Sequence, residues 1–118
     1  ALPIDVAAAV ECMQSTHHIL IGIGDGPGTR GQAPSVLVER LAGVVVQILR
    51  ERPVTRLLSE GGATTAAVMR AMRWTRLEAT KIAAPGIGAL RPVGTTGPQL
   101  FIKPGSYAWP KEIWPPSA

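Results

Sequence analysis

Cysteine is almost missing from this chain: Cys12 is the one thiol among 118 residues. An intramolecular disulfide is therefore excluded, and a reducing, cytoplasmic setting is expected. Histidine is equally scarce, with only the adjacent pair His17 and His18. With Cys12 they make no zinc set, and with Ser15 they make no catalytic triad, because neighbours in a strand point to opposite faces. Five aromatic residues, Trp74, Phe101, Tyr107, Trp109 and Trp114, are too few for a base-stacking platform. The nine arginines and three lysines are scattered rather than clustered, so no nucleic-acid interface is expected. A net charge of +4 still favours anionic partners at long range. No apolar run approaches the ~18 residues of a membrane span, and the N-terminus lacks the basic and apolar blocks of a secretory signal. Neither membrane nor secretion is expected. The chain opens at Ala1 instead of Met, by an amphipathic stretch from Val6 to Met13, so processing, or excision from something longer, is expected.

What is present describes a globular domain. Hydrophobic residues make up 46% and charged residues 17%, which places the chain well away from disordered compositions. Its length fits one compact domain, given a soft prior of about 150 residues per domain. The run His18-Ile19-Leu20-Ile21-Gly22-Ile23 is apolar, β-branched and stopped by glycines, the pattern of a buried strand. Residues 24–31 carry too many glycines for regular structure. From Pro34 or Ser35 to Arg50, apolar Leu37, Leu41, Val44, Val45, Ile48 and Leu49 recur at helical spacing, and Pro53 ends that helix. Val54 to Ser59 reads as a second strand, and Thr64 or Thr65 is placed to cap a further helix reaching about Trp74. The expected fold is thus α/β with a β-α-β-α start and a mainly parallel sheet. The last third reads as β-rich, from Leu77–Ile82 and Leu100–Ile102, with at most one helical turn after Trp109.

Chemistry concentrates at Leu58-Ser59-Glu60-Gly61-Gly62-Ala63-Thr64-Thr65. A strand that turns through two glycines into a helix aims unpaired amides and a positive helix end beyond the strand terminus, where open α/β sheets bind ligands. Phosphate fits such a place, and a tight strand-to-helix turn with no ligand fits it as well. Gly26-Pro27-Gly28-Thr29-Arg30-Gly31 satisfies the letter of the Gly-x-Gly-x-x-Gly dinucleotide fingerprint, with Glu60 available to ribose hydroxyls. Gln32-Ala33-Pro34 separates it from the helix that should begin within the motif. No Gly-Lys-Ser or Gly-Lys-Thr follows the glycines, which excludes a P-loop. Lys103-Pro104-Gly105 ends the last β run, and its glycine can admit a phosphate or a base, or simply make a turn. Asp25 is a weakly placed candidate for Mg²⁺ held through water. Arg70, Arg73 and Arg76 either add positive potential or form a solvated helix face.

Strand, Gly61-Gly62-x-Thr64, helix, Ala84-Pro85-Gly86-Ile87, then strand into Lys103-x-Gly105: this succession resembles the C-terminal nucleotide-binding domain of the four-carbon acid sugar kinases. Those enzymes act on threonate, erythronate and 3-oxo-tetronates. The resemblance runs from about His17 to Ile113. It implies that Gly61, Gly62, Ala63, Thr64 and Gly105 lie at ATP, with Mg²⁺ accompanying the nucleotide. It also implies that the sugar acid binds a separate N-terminal domain, and that the 118 residues are the nucleotide-binding part of a two-domain kinase without turnover of its own. Ala63 stands where the family usually has Asp or Glu, and Lys103-Pro104-Gly105-Ser106-Tyr107-Ala108 replaces the usual Lys-Ser-Gly-Gly-Phe-Gly. Two alternatives stand beside this expectation. One is a non-catalytic partner-binding or oligomerisation module whose nucleotide site has decayed. The other is a dinucleotide-binding oxidoreductase fragment, which a helix starting at Gly28, and not after Ala33, would favour.

Overall fold

The computed structural model describes residues 5–22, 31–84, 86–105 and 108–114, and of residues 81–84 the backbone alone. Asp25 and residues 26–30 of the glycine run lie outside the described residues, as do Ser106 and Tyr107. Two compact units divide the chain, Ala1–Pro53 and Val54–Ala118.

The first unit is helical. Helix α1 spans Val6–Thr16. Asp5 supplies the N-cap, its carboxylate accepting the Ala8 amide at 3.2 Å, which satisfies one of the first-turn donors. His17 closes the helix in the left-handed region, φ 65°, donating its amide to the Met13 carbonyl. Helix α2 spans Pro34–Glu51 and packs on α1. Proline suits the first helical turn because its missing N–H has no partner to lose there. Leu41, Ala42, Val46 and Ile48 form the buried side of α2.

Among the described residues, the second unit is a four-stranded sheet with one helix. Strand β1 (Arg56–Glu60) leads into helix α3 (Gly62–Met72). Strands β2 (Leu77–Ala84), β3 (Ile87–Pro92) and β4 (Gln99–Lys103) follow. The sheet order is β1-β4-β3-β2. Only β1 and β4 run parallel, and β4–β3 and β3–β2 are antiparallel.

This corrects the expected β-α-β-α start and mainly parallel sheet. The element order begins α1-α2, and residues 18–22 form no strand, with Leu20 79% exposed. A β-branched run favours a pleated, half-buried surface and does not create one. Two residues separate β2 from β3, one of them Gly86 at φ 80°. So short a link joins antiparallel neighbours only, since a parallel return needs a crossover of about a dozen residues or more. Helix α2 starts at Pro34, with Gly31 to Ala33 outside any helix, so it does not begin within the glycine motif as a dinucleotide fold requires. Among the described residues, no helix is long and apolar enough to cross a membrane.

The sheet is covered on both faces. Helix α3 packs against β1 and β4. Ile87, Ala89 and Phe101 form the core of the other face with Ile113, and Leu58 and Trp109 pack onto it. One turn at Pro110, whose carbonyl accepts the amides of Ile113 and Trp114, carries Ile113 there. Leu100 is 1% exposed. Leu100→Ala should cost about 3 kcal/mol, as large-to-small changes at buried leucines do, read as a lower urea midpoint. Arg73 ends α3 at φ 60°, ψ 34°, a conformation that costs a residue with a Cβ about 1–2 kcal/mol. Arg73→Gly should therefore raise stability by roughly 0.5–1 kcal/mol in the same assay, after the greater freedom of glycine in the unfolded chain is subtracted.

Candidate functional site

Strands β1 and β4 end side by side, with Glu60 opposite Lys103 in the parallel register. The chain leaves β1 through Gly61, at φ 86° and ψ 141°, a conformation that favours glycine. The Gly61 amide continues the ladder by one bond, donating to the Lys103 carbonyl at 2.9 Å. The turn that opens α3 is therefore hydrogen-bonded to the last residue of β4, just before Pro104-Gly105, at one end of the sheet.

Gly61, Gly62, Ala63 and Thr64 thus lie at the strand end to which Lys103 is bonded, and Gly105 follows Lys103 by two residues. Gly62 and Ala63 are exposed, Gly61 and Thr64 half-buried, and Gly105 exposed. Helix α3 has no side-chain cap and no acidic residue in its first turn. Its leading amides are unclaimed by a capping group, and the positive end of its dipole is not neutralised locally. A Cβ placed on Gly61, Gly62 or Gly105 would meet nothing within 4 Å. The three glycines border open space into which a ligand oxygen can approach the backbone.

The threonines divide their roles differently from the sequence expectation. The helix starts at Gly62 with Gly61 as its N-cap, so Thr64 and Thr65 lie inside the first turn. Thr65 is buried, and its hydroxyl donates to the Gly61 carbonyl at 2.8 Å and lies 2.7 Å from Ser59 Oγ. Ser59, Thr65 and Gly61 form one closed polar cluster under the turn, and it fixes the turn's shape.

On the opposite face a second polar cluster sits at the same strand ends. Lys103 is 2% exposed. Its ammonium lies 3.2 Å from Glu60 Oε1, donates to the Pro104 carbonyl at 3.1 Å and sits 5.2 Å from the centre of the Trp109 ring. A buried ammonium needs such company, since leaving water without a partner is costly. Trp109 Nε1 donates to the same Glu60 oxygen at 2.7 Å. Trp109 is the residue that sequence reasoning missed. Nothing local marks it, because its partner is fixed by the strand register and not by spacing along the chain. Arg70 and Arg73 lie at the far end of α3, where with Ala66, Met69, Trp74, Thr75 and Leu77 they line a shallow, open hollow. Neither supplements the charge at the glycine turn. Among the described residues no three His, Cys, Asp or Glu side chains gather to hold a metal ion.

A family model described as a nucleotide-binding C-terminal domain matches residues 6–107. No curated protein matches the chain. Among solved structures, a DUF1537 domain of unknown function from Bordetella bronchiseptica, a domain-swapped dimer with bound citrate, is similar in fold. One crystal form gives a TM-score of 0.68 at 14% identity, covering 88% of this chain and 27% of that one. A second form gives 0.62 at 15% identity, over 86% and 27%. A Haemophilus influenzae protein of the DUF1537 family model gives 0.49 at 22% identity, over 86% and 21%. The chain thus spans roughly a quarter of the length of the solved proteins it matches.

The two threonines should respond unequally to loss of the hydroxyl. Thr65→Val strands Ser59 and the Gly61 carbonyl and should cost about 1–3 kcal/mol, whereas Thr64→Val should change stability by less than about 0.5 kcal/mol, both read by urea unfolding.

Proposed function

Since this chain belongs to the family of nucleotide-binding C-terminal domains, we propose that it is the ATP-binding lobe of a kinase acting on four-carbon sugar acids of the threonate, erythronate or 3-oxo-tetronate type. The observation that carries this is the joining of the Gly61 and Gly105 bends through the bond from the Gly61 amide to the Lys103 carbonyl, with open space before Gly61, Gly62 and Gly105. The ATP phosphates lie against the leading amides of α3, where Gly62, Ala63 and Thr64 offer N–H donors and the helix dipole favours negative charge.

Phosphoryl transfer is mostly positioning and charge stabilisation, so a lobe that holds phosphates with backbone amides needs few acid–base side chains. That accords with the scarcity of such residues here. The acceptor hydroxyl and its base belong to a second domain, and closure between the two excludes water. Mg²⁺, when bound to the nucleotide, neutralises phosphate charge. No cluster of three His, Cys, Asp or Glu side chains among the described residues would hold it. The Bordetella relative carries citrate, a small polycarboxylic acid, and is a domain-swapped dimer, which accords with an acid substrate for the larger protein and with association of copies.

Two features favour the rival module with a decayed site: Ala63 offers no carboxylate, and the Lys103 ammonium is already engaged by its own chain. Calorimetric titration of ATP and ADP separates the two. Gly62→Val is the informative variant, because its Cβ enters open space and leaves the fold intact while filling the cradle. The chain should bind both nucleotides, and Gly62→Val should weaken binding at least about tenfold, the loss of one or two charge-assisted hydrogen bonds, with an unchanged unfolding midpoint. Equal binding by both proteins, or none by either, overturns the proposal.

A further inference from the structure

Glu60 is a charged group at the mouth of the cradle that the phosphate reading leaves unused. Its Oε1 is held by two donors, Trp109 Nε1 at 2.7 Å and Lys103 Nζ at 3.2 Å. Its Oε2 has no partner among the described residues, and the side chain is 54% exposed. We infer that Glu60 reads the ribose of the bound nucleotide, Oε2 accepting hydrogen bonds from the 2′- and 3′-hydroxyls; this rests on the ATP-binding reading above.

Glu60 is the last residue of β1 and adjoins the glycine turn. Strand alternation puts its side chain on the face of Lys103 and Trp109, opposite Ser59, whose hydroxyl meets Thr65 of α3. A nucleotide with phosphates on the α3 side reaches that other face by crossing the strand ends, where the space before Gly61 and before Gly105 is open.

An ionised carboxylate is an acceptor only, so its ligand must present donors. The groups on a nucleotide that lie nearest the phosphates and can donate in pairs are the ribose hydroxyls. Fixing Oε1 from two sides removes the rotamer freedom that an exposed glutamate would otherwise lose on binding. Finally, the buried Lys103 ammonium balances the carboxylate, so the pair brings no net charge toward a triphosphate. An unpaired carboxylate there would repel it.

The test is calorimetric titration of the full chain with ATP and with 2′,3′-dideoxy-ATP, repeated on Glu60→Ala and Trp109→Phe. Hydrogen bonds to a charged acceptor predict that the unaltered chain prefers ATP by about tenfold or more. Glu60→Ala should abolish the preference by weakening ATP alone. Trp109→Phe, which keeps the carboxylate and releases one of its anchors, should leave an intermediate preference. The preference is a ratio within one protein, so a variant that is partly unfolded still reports it. If Glu60 is only a brace for Trp109, Glu60→Ala weakens both nucleotides equally and the preference persists, which overturns the inference. Equal affinities in the unaltered chain overturn it too, while ATP binding itself stands. Absence of binding by either nucleotide overturns both.

Discussion

Parallel pairing of β1 with β4, prolonged by the bond from the Gly61 amide to the Lys103 carbonyl, is the constraint on which the second unit depends. A single backbone hydrogen bond contributes only about 1 kcal/mol net, yet the same groups left unpaired in a buried place would cost about 1–3 kcal/mol. The bond therefore decides geometry more than stability. It sets the height of the glycine turn against the Lys103-Pro104-Gly105 bend, and so the start of α3 against the end of β4. Without that pairing the two bends belong to different parts of the chain and share no space.

Two small polar clusters hold this junction from opposite faces. Beneath α3, Ser59, Thr65 and the Gly61 carbonyl satisfy one another. On the other face, Glu60, Lys103 and Trp109 do the same and tie the C-terminal turn to the sheet. Both contain buried groups, which makes each all-or-nothing: complete, it specifies one arrangement, and broken, it leaves a desolvated charge or hydroxyl. The glycine turn can stay open because its support comes from these side chains and not from filling the space before it. Rigid strand ends, a helix terminus and satisfied polar neighbours are what a site needs in order to bind without rearranging.

Much of this was legible from residues read in order. The three-and-four spacing of Leu37, Leu41, Val44, Val45 and Ile48 marked α2, with Pro34 and Pro53 bounding it closely. Two glycines after an apolar pair marked the junction of β1 and α3. The apolar stretch from His18 to Ile23 misled, since strand formation requires a partner ladder, residues 18–22 have none, and the chain leaves α1 there through a left-handed His17. Lys103 was visible as part of a motif, but its burial was not, because a lysine in a strand is ordinarily solvated. Trp109 was invisible for the same reason that makes it interesting: its hydrogen bond spans the sequence from residue 109 to residue 60.

By itself, then, the sequence determined α2, the glycine turn between β1 and α3, and the family likeness, because helical periodicity, proline placement and glycine turns act within a few residues of one another. Only the tertiary structure decided the strand order β1-β4-β3-β2, the antiparallel return of β3, and the meeting of Gly61 with Lys103. These are choices among distant partners, each backbone group able to pair with many others. What selects one pairing is the joint burial of Leu58, Phe101, Ile87 and Ile113 on one face, and of Ser59 and Thr65 on the other, a sum over contacts that no short window of sequence contains.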